Sequence, residues 1–435
     1  MTIKKAIKKI APKFILNIYH LSLAYLAELV YGSPSKKIIV IGVTGTNGKS
    51  TTVNLIAKIL EEAGNKVALT STVNFKISED DKLNAMKMTM PGRFFLQKMI
   101  ANAVKNNCKY MIIESSSEGI LQHRQVGIHY DCMVFTNLTP EHLEAHGGFE
   151  NYKKAKLTYF KHLESQPQKF INGEKISKTI IVNLDDTYAD EFQKFNVDQL
   201  ITFGKSKSAN IVGSDFQSSE KGISFSVEDL KFNLKLKGVF DFYNSLAAIA
   251  TSKAYGVELH TAKSALEKIS VIPGRMEIIE AGQSFTVIVD YAYEPEEMRQ
   301  VYETISKWPQ KNIVQVLGPS GGGRDKARIS ILGEMAGEIA RLVYITTDDP
   351  YDDDPKKIGE QMLAGSIKAG KKLNENVFLE LDRRTAISHA LRSAQPNDIV
   401  LITGKGSDQT MAVNHGYIKW DDREVVKEEL TKLKK

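Results

Sequence analysis

The sequence predicts an α/β fold: a central domain on a mostly parallel sheet, a C-terminal Rossmann-like α/β domain, and a short helical extension ahead of both. Three observations predict it. From Lys37 onward, short β-rich apolar runs alternate with helical patterns, the signature of strands joined by crossover helices. A second series of the same kind begins near residue 271. The run "KIIVIGV" leads directly into the glycine-rich turn GTNGKST (Gly45–Thr51), followed by a periodic segment.

The extension spans residues 1–36. Its Lys4, Lys5, Lys8, Lys9 and Lys13, with Lys36 and Lys37 beyond, face only Glu28, and they account for much of the net charge of +6. A basic patch can attract nucleic acid, but nothing beyond the extension supports that, so no nucleic-acid partner is expected. "FILNIYHLSLAYLAELVY" is apolar yet holds Asn17, His20 and Glu28, is barely long enough to span a bilayer, and is followed by no small-residue cleavage site. Two readings stay open for it: a helix docked on the protein, or one lying on a membrane surface.

The central domain is read as residues 37–270, with strands at "KIIVIGV", "YMIIESS", "DCMVFTN" and "TIIVNLD". The C-terminal domain, 271–435, follows "VIPGRME" and runs through "FTVIVDYA", "NIVQVLG", "LVYITTDD" and "DIVLITGKG". Each of these strands ends in glycine or acidic residues, where open α/β sheets place ligand loops. A chain of 435 residues is too long for one ordinary core, which agrees with two domains. Cys108 and Cys132 have no ligand-like spacing and are read as reduced, packed thiols of a cytoplasmic protein.

The turn at Gly45, Thr46, Asn47, Gly48, Lys49, Ser50 and Thr51 suits a phosphate. Its glycines let backbone amides approach phosphate oxygens, Lys49 supplies a point charge, and the Ser50 hydroxyl can bind Mg2+. The general phosphate-loop pattern, counted from Gly42, misses by one residue. Downstream, "IIESSSEGI" with Glu114, "TNLTPEHLEAHGG" with His142 and "YKKAKLTYF" with Lys156 add an oxygen-rich set with one imidazole, which suits Mg2+ beside phosphates.

These segments together resemble the Mur ligase superfamily, most closely its UDP-N-acetylmuramoyl-tripeptide synthetase branch. The resemblance rests on GTNGKST, the Glu-x-Ser-Ser segment, TNxxxxHL, the AK pair, PGRME, VDYAxxP, GxxGGxRDK, a DxP turn and GKG, and runs from about Lys37 to the C-terminus. It implies a central P-loop-type ATPase domain and an ATP-dependent, ADP-forming ligase of peptidoglycan precursor synthesis. Such an enzyme phosphorylates a carboxylate to an acyl phosphate that an amine then attacks. Carried over residue by residue, Lys49 would hold the β- and γ-phosphates, and Ser50, Glu114 and His142 would surround Mg2+. Lys156 matches the lysine that the family carbamoylates, which as a carboxylysine would bind a second Mg2+. Asn244 would read adenine, although Asp241 replaces a neighbouring asparagine. Arg275 would reach the γ-phosphate, and Asp290 the ribose, with Tyr293 in place of the usual histidine.

For the acceptor, the resemblance implies contacts at Thr89, Pro91, Ser116, Ser117, Gln122 and Arg124, with Glu118 replacing a histidine. Residues 1–36 stand where relatives carry a domain of roughly a hundred residues that grips the uridine nucleotide. The usual UDP-binding domain is therefore expected to be lacking, and the muramoyl peptide could be nucleotide-linked or lipid-linked. The extension would then place the protein peripherally at the inner membrane face, or against a partner protein. For the amino acid, Arg324 offers a fork for the α-carboxylate, and Asp348, Asp349, Tyr351, Gly404 and Asp408 line the expected side-chain pocket. Diaminopimelate-adding members read Asp-Asn-Pro-Arg where this chain has Asp348-Asp349-Pro350-Tyr351. Loss of the arginine and gain of acid point away from meso-diaminopimelate and towards a lysine-type side chain. Alternatives are a related ligase acting on a pseudomurein, folylpolyglutamate or cyanophycin-type acceptor, or a non-catalytic nucleotide-binding scaffold.

Overall fold

A computed structural model describes residues 12–141, 143–309, 311–322, 326–414 and 416–433. Two of the expected site residues, His142 and Arg324, lie outside the described residues.

The first sheet has eleven strands among the described residues. Seven run parallel in the order Ile211–Ser219, Gln199–Gly204, Thr179–Asn183, Cys132–Phe135, Ile39–Thr44, Tyr110–Glu114 and Val67–Thr70. Antiparallel wings extend both ends: Gly222–Val227 and Leu230–Leu234 on one, Asn74–Ile77 and Asp80–Leu83 on the other. Ile39–Thr44 sits in the middle with every residue buried, because helices cover both faces. Its side chains alternate between two cores. Ile39, Ile41 and Val43 pack with the helices Lys49–Glu62, Val239–Ala254 and Leu259–Lys268. Ile38 and Val40 pack with Arg93–Lys105 and Phe149–Ser165. Two covered faces explain why the strand reads as a continuous apolar run rather than an alternating one.

The second sheet has the order Glu277–Ile278, Thr286–Asp290, Ile399–Thr403, Ile313–Leu317, Leu342–Ile345 and Val377–Leu379, parallel except at its first pair. Pro295–Ile305, Ala327–Ile339 and Pro355–Lys368 cover one face, and Arg383–Ser393 with Asp422–Leu433 the other. Ala327–Ile339 and Pro355–Lys368, side by side on the first of these faces, meet closely at glycine: a β-carbon on Gly333 would lie 2.0 Å from the Met362 carbonyl oxygen. The phosphate turn follows the middle strand of the first sheet, and the acidic and glycine-rich turns follow the strands of the second. The cleft between the sheets therefore collects the carboxyl ends of both.

Lys13–Val30 is a helix that buries Ala24 and Ala27 completely and packs near Arg93–Lys105. Asn17 Oδ1 lies 2.6 Å from His123 Nε2, and Glu28 Oε1 accepts from the Ser33 hydroxyl at 2.9 Å. Docking by one face leaves Phe14, Ile18, Tyr19, Tyr25, Leu26, Leu29 and Val30 exposed on the other. No helix among the described residues is long and apolar enough to cross a membrane.

Candidate active site

The phosphate turn is shaped by two glycines with left-handed backbones. Gly45 has φ +152°, and a β-carbon there would lie 1.9 Å from Thr136 Oγ1; Gly48 has φ +80°, and its β-carbon would lie 2.1 Å from Asn244 Oδ1. A non-glycine residue could not occupy either place without moving those neighbours. The turn is clamped from Thr136 and Asn137, just past the next strand. Thr46 N donates to the Asn137 carbonyl at 2.8 Å, Asn47 N to Asn137 Oδ1 at 2.8 Å, and Thr136 Oγ1 to the Asn47 carbonyl at 2.7 Å. Lys49, Ser50 and Thr51 then open the helix Lys49–Glu62, whose first amide groups lack intrahelical partners and favour an anion. Lys49 Nζ donates to the Thr46 carbonyl at 2.5 Å.

Glu114 ends the strand beside this turn and is 2% exposed. Its Oε2 accepts from the Ser50 hydroxyl at 2.8 Å and from Thr72 N at 2.6 Å, and its Oε1 from Thr72 Oγ1 at 3.0 Å. Ser50 and Glu114 thus present adjacent hard oxygens, the donor set that a magnesium ion takes. Those oxygens fit the ion, with the hydroxyl proton turned away.

Lys156 lies on the helix Phe149–Ser165, fully buried against the same turn. Its ammonium donates to the Gly45 carbonyl at 2.5 Å and sits 4.4 Å from the centre of the Tyr152 ring. The Tyr152 hydroxyl in turn meets Thr46 Oγ1 at 3.1 Å. Burial, then the charge of Lys49, drives the Lys156 amine well below the ordinary lysine range. An ammonium in this place does not fit a second Mg2+; a carbamate formed from the neutral amine would.

From the domain junction, Arg275 points into the same cleft. Its Nη2 donates to Ser50 Oγ at 3.5 Å and its guanidinium lies over the Tyr291 ring at 4.4 Å. Asn244 Oδ1 accepts from Thr52 Oγ1 at 3.2 Å, so this asparagine supports the floor of the phosphate turn. Asp241 is buried, accepts from Lys237 N and Gly238 N at 3.1 and 3.3 Å, and is pushed up to about 6 by that burial. Its carboxylate thus caps the helix Val239–Ala254. Asp290, expected to meet a ribose, spends one oxygen on Met276 N and the other on Ala292 N, each at 2.7 Å. It fastens the PGRME segment to the second sheet while still lining the cleft.

One cleft of ≈ 490 Å³ is lined by Thr46–Thr51, Glu114, Lys156, Asn244, Arg275 and Asp290, and by Thr89, Ser116, Ser117 and Arg124. The expected nucleotide and acceptor residues therefore converge. Thr72 joins them, its Oγ1 lying 3.0 Å from the Thr89 hydroxyl. Pro91 is buried outside the lining, and Gln122 instead orients Arg124, whose Nη2 donates to Gln122 Oε1 at 2.8 Å. Glu297, which the sequence did not single out, also lines the cleft, half-buried near Glu141.

Asp348, Asp349 and Asp408, expected to face a cationic side chain, are 2%, 4% and 5% exposed, and the three carboxylates already share two lysine ammoniums. Lys405 lies 2.8 Å from Asp349, 3.4 Å from Asp408 and 3.6 Å from Asp348. Lys87, from the central sheet's side, pairs with Asp349 and, at 3.0 Å, with Asp408. Gly404, at φ +108°, passes the Asp348 carboxyl, and a β-carbon there would lie 3.3 Å from it. Tyr351 lines the cleft as expected.

Residues 43–252 match the Mur ligase middle domain and residues 274–406 the Mur ligase, glutamate ligase domain. The chain is 34% identical to a UDP-N-acetylmuramoyl-L-alanyl-D-glutamate–2,6-diaminopimelate ligase of Syntrophomonas wolfei, over 94% of this chain and 81% of that one. It is also 34% identical to a UDP-N-acetylmuramyl-tripeptide synthetase of a Roseiflexus species, over 95% of this chain and 82% of that one. A solved structure of a UDP-N-acetylmuramoyl-L-alanyl-D-glutamate–2,6-diaminopimelate ligase superposes with a TM-score of 0.61 at 27% identity, covering 92% of this chain and 79% of that one. The MurF ligase of Thermotoga maritima, in complex with ADP, shares the fold with a TM-score of 0.66 at 19% identity, over 95% and 82% of the two chains. Matched in both domains, with its phosphate turn, carboxylate and junction arginine around one cleft, the chain belongs to the Mur ligase family, the ATP-dependent, ADP-forming amide ligases of peptidoglycan precursor synthesis.

Proposed function

We propose that this chain joins the carboxylate of a muramoyl peptide to the amine of an amino acid, with both acceptor and nucleotide held in the cleft between the two sheets. The observation that carries this reading is the meeting of Ser50, Glu114 and Arg275 across the domain junction. Bound ATP supplies the phosphoryl group that converts a poor electrophile, the carboxylate, into an acyl phosphate. The protein's part is to position and to balance charge. The amides of Gly48–Ser50 and the Lys49 ammonium face the phosphate chain, Ser50 and Glu114 hold Mg2+, and Arg275 offsets charge on the transferring group. Thr89, Ser116, Ser117 and Arg124 present the acceptor carboxylate, and the walls at Tyr291 and Tyr293 keep water from the activated acid. Lys156, as a carboxylysine, is proposed to hold a second Mg2+.

The helix Lys13–Val30 favours contact with an anionic membrane surface and hence a lipid-linked acceptor. Its outward apolar side chains are flanked by the exposed Lys36 and Lys37, the pairing of apolar stripe and positive charge that interfacial helices use. Leu29→Asp is expected to abolish sedimentation with phosphatidylglycerol vesicles; unchanged sedimentation would remove the membrane from this reading.

The ligase reading is tested by phosphate release from ATP and Mg2+. Release should require both a muramoyl-dipeptide acceptor and an amino acid, and Lys49→Ala should abolish it. Release that ignores the acceptor would overturn the proposal.

A further inference from the structure

Which amino acid enters is a question about the same site, and the inference here rests on the ligase reading. In open α/β sheets, ligands lodge beyond the carboxyl ends of the strands. In the second sheet that place follows Leu342–Ile345 and Ile399–Thr403, where the chain brings Asp348, Asp349 and Asp408 together. The place already has an occupant. Lys87, in the loop between Asp80–Leu83 and Arg93–Lys105, crosses from the central domain, pairs with Asp349 and Asp408, and donates to the Thr410 carbonyl at 3.1 Å.

Several features mark this as a built contact rather than a surface ion pair. The Lys87 side chain is 10% exposed, and its backbone holds a left-handed φ of +51°. Ordering and burying a lysine costs side-chain entropy and hydration, which only close carboxylates offset. Most of the acceptor oxygens are also engaged, Asp348 Oδ1 facing only Lys405 at 3.6 Å. Asp349 Oδ1 takes Lys405 and Ala412 N, Asp349 Oδ2 takes Lys87, and Asp348 Oδ2 takes the Ser320 hydroxyl at 2.6 Å. From the cleft, the outer wall of this pocket is Lys87 and Tyr351, and the three carboxylates lie behind it.

We propose that Lys87 is a tethered ammonium that fills the carboxylate pocket of the C-terminal domain, so that the enzyme takes amino acids with uncharged side chains and rejects lysine and ornithine. A free side-chain ammonium must displace one held in cis. A short tether presents its group at an effective concentration in the millimolar range, so an amino acid below that concentration loses the competition. The positive end of Lys87 also repels a second cation at the mouth of the pocket.

The test compares wild type, Lys87→Ala, Lys87→Gln and Lys87→Arg as full-length proteins. Phosphate release is followed with ATP, Mg2+, a muramoyl-dipeptide acceptor and a panel of neutral and cationic amino acids. Wild type and Lys87→Arg should prefer neutral amino acids. Lys87→Ala and Lys87→Gln should raise kcat/KM for lysine or ornithine relative to neutral amino acids by about tenfold or more, the scale expected when a charged competitor leaves a pocket. Lysine or ornithine as the best substrate of the wild type, or an unchanged ranking in both neutral variants, would overturn the inference. A second readout needs no turnover: n-butylammonium should raise the melting temperature of Lys87→Ala but not of wild type or Lys87→Arg, and no such difference would equally overturn it. Wild type that releases no phosphate with any amino acid, while the butylammonium shift is present, sinks the ligase reading and supports the pocket assignment.

Discussion

Gly48 and Asn244 interlock: a β-carbon on Gly48 would lie 2.1 Å from Asn244 Oδ1, which is itself held by Thr52 Oγ1 at 3.2 Å. The phosphate turn of one helix is therefore fitted against the side of another, 196 positions later in the chain. Gly48→Ala adds a clash and places alanine at φ +80°. We expect a stability loss of about 1–3 kcal/mol in a thermal or urea melt, with ATP affinity falling in calorimetry. A Gly48→Ala protein that folds and binds ATP as the wild type does would show that this turn is not the phosphate cradle.

Arg275 tests domain closure. Its guanidinium rests on Tyr291 and reaches Ser50 across the junction. Arg275→Lys keeps the charge but loses the planar face and the fork. If Arg275 acts mainly on the transferring phosphoryl group, kcat should fall about 10²–10³-fold while the KM for ATP moves little. Tyr291→Ala should reproduce part of that fall by freeing the arginine. A rise in KM with kcat unchanged would assign Arg275 to ground-state binding instead.

Glu297 gives a pH dependence with a definite sign. Burial first, then the neighbouring Glu141 carboxylate, push its pKa up from 4.5 to about 8. Tyr293 N and Glu294 N donate to its Oε2 at 3.1 and 3.3 Å, and Arg275 and Asp290 are its other charged neighbours. The folded protein therefore holds a proton that the unfolded chain releases. This contribution to stability is complete below pH 4.5 and is lost as pH rises through about 8. Relative to Glu297→Gln, the wild type should lose at most about 1.4 kcal/mol per pH unit within that window. Parallel melting curves for the two proteins from pH 5 to 9 would refute the buried acid.

How much of this was legible depends on how local each signal is. The turn at Gly45–Thr51 was legible because glycines, lysine and hydroxyl sit together between a strand and a helix, and the two sheet series because their buried strands read as apolar runs. The antiparallel wings, such as Gly222–Val227 with Leu230–Leu234, carry no such run and were not drawn out. Glu114 was found through resemblance, since a glutamate ending a strand has no distinctive pattern; its contact with Ser50 spans 64 residues. Thr72 acts through its amide and hydroxyl, and Asn137 through its carbonyl and side-chain amide, contacts that carry no distinctive pattern in the sequence. Lys87 was missed for the same reason, its Asp349 partner being 262 residues away. Once it was missed, the aspartates read as free charge awaiting a cation. A count of acidic residues in a turn cannot report that a lysine from another domain has already paired with them.

Lys156 brings the last prediction. Its side chain is buried, Lys49 stands near, and both depress its basicity, so a larger share of the amine is neutral than in an ordinary lysine. A neutral amine adds to CO2 to give a carbamate and one proton, replacing a cation that repels Mg2+ with an anion that binds it. Turnover should therefore fall when dissolved CO2 is stripped and return with bicarbonate, whereas Lys156→Met should be low and indifferent to bicarbonate. Labelling with 13C-bicarbonate should give a carbamate carbon resonance in the wild type that the variant lacks. The alternative is that the ammonium itself matters, holding the Gly45 carbonyl and shaping the phosphate turn. In that case Lys156→Met would weaken ATP binding as well as turnover, and removal of CO2 would change neither. The two outcomes separate a residue that carries the metal from one that only carries the loop.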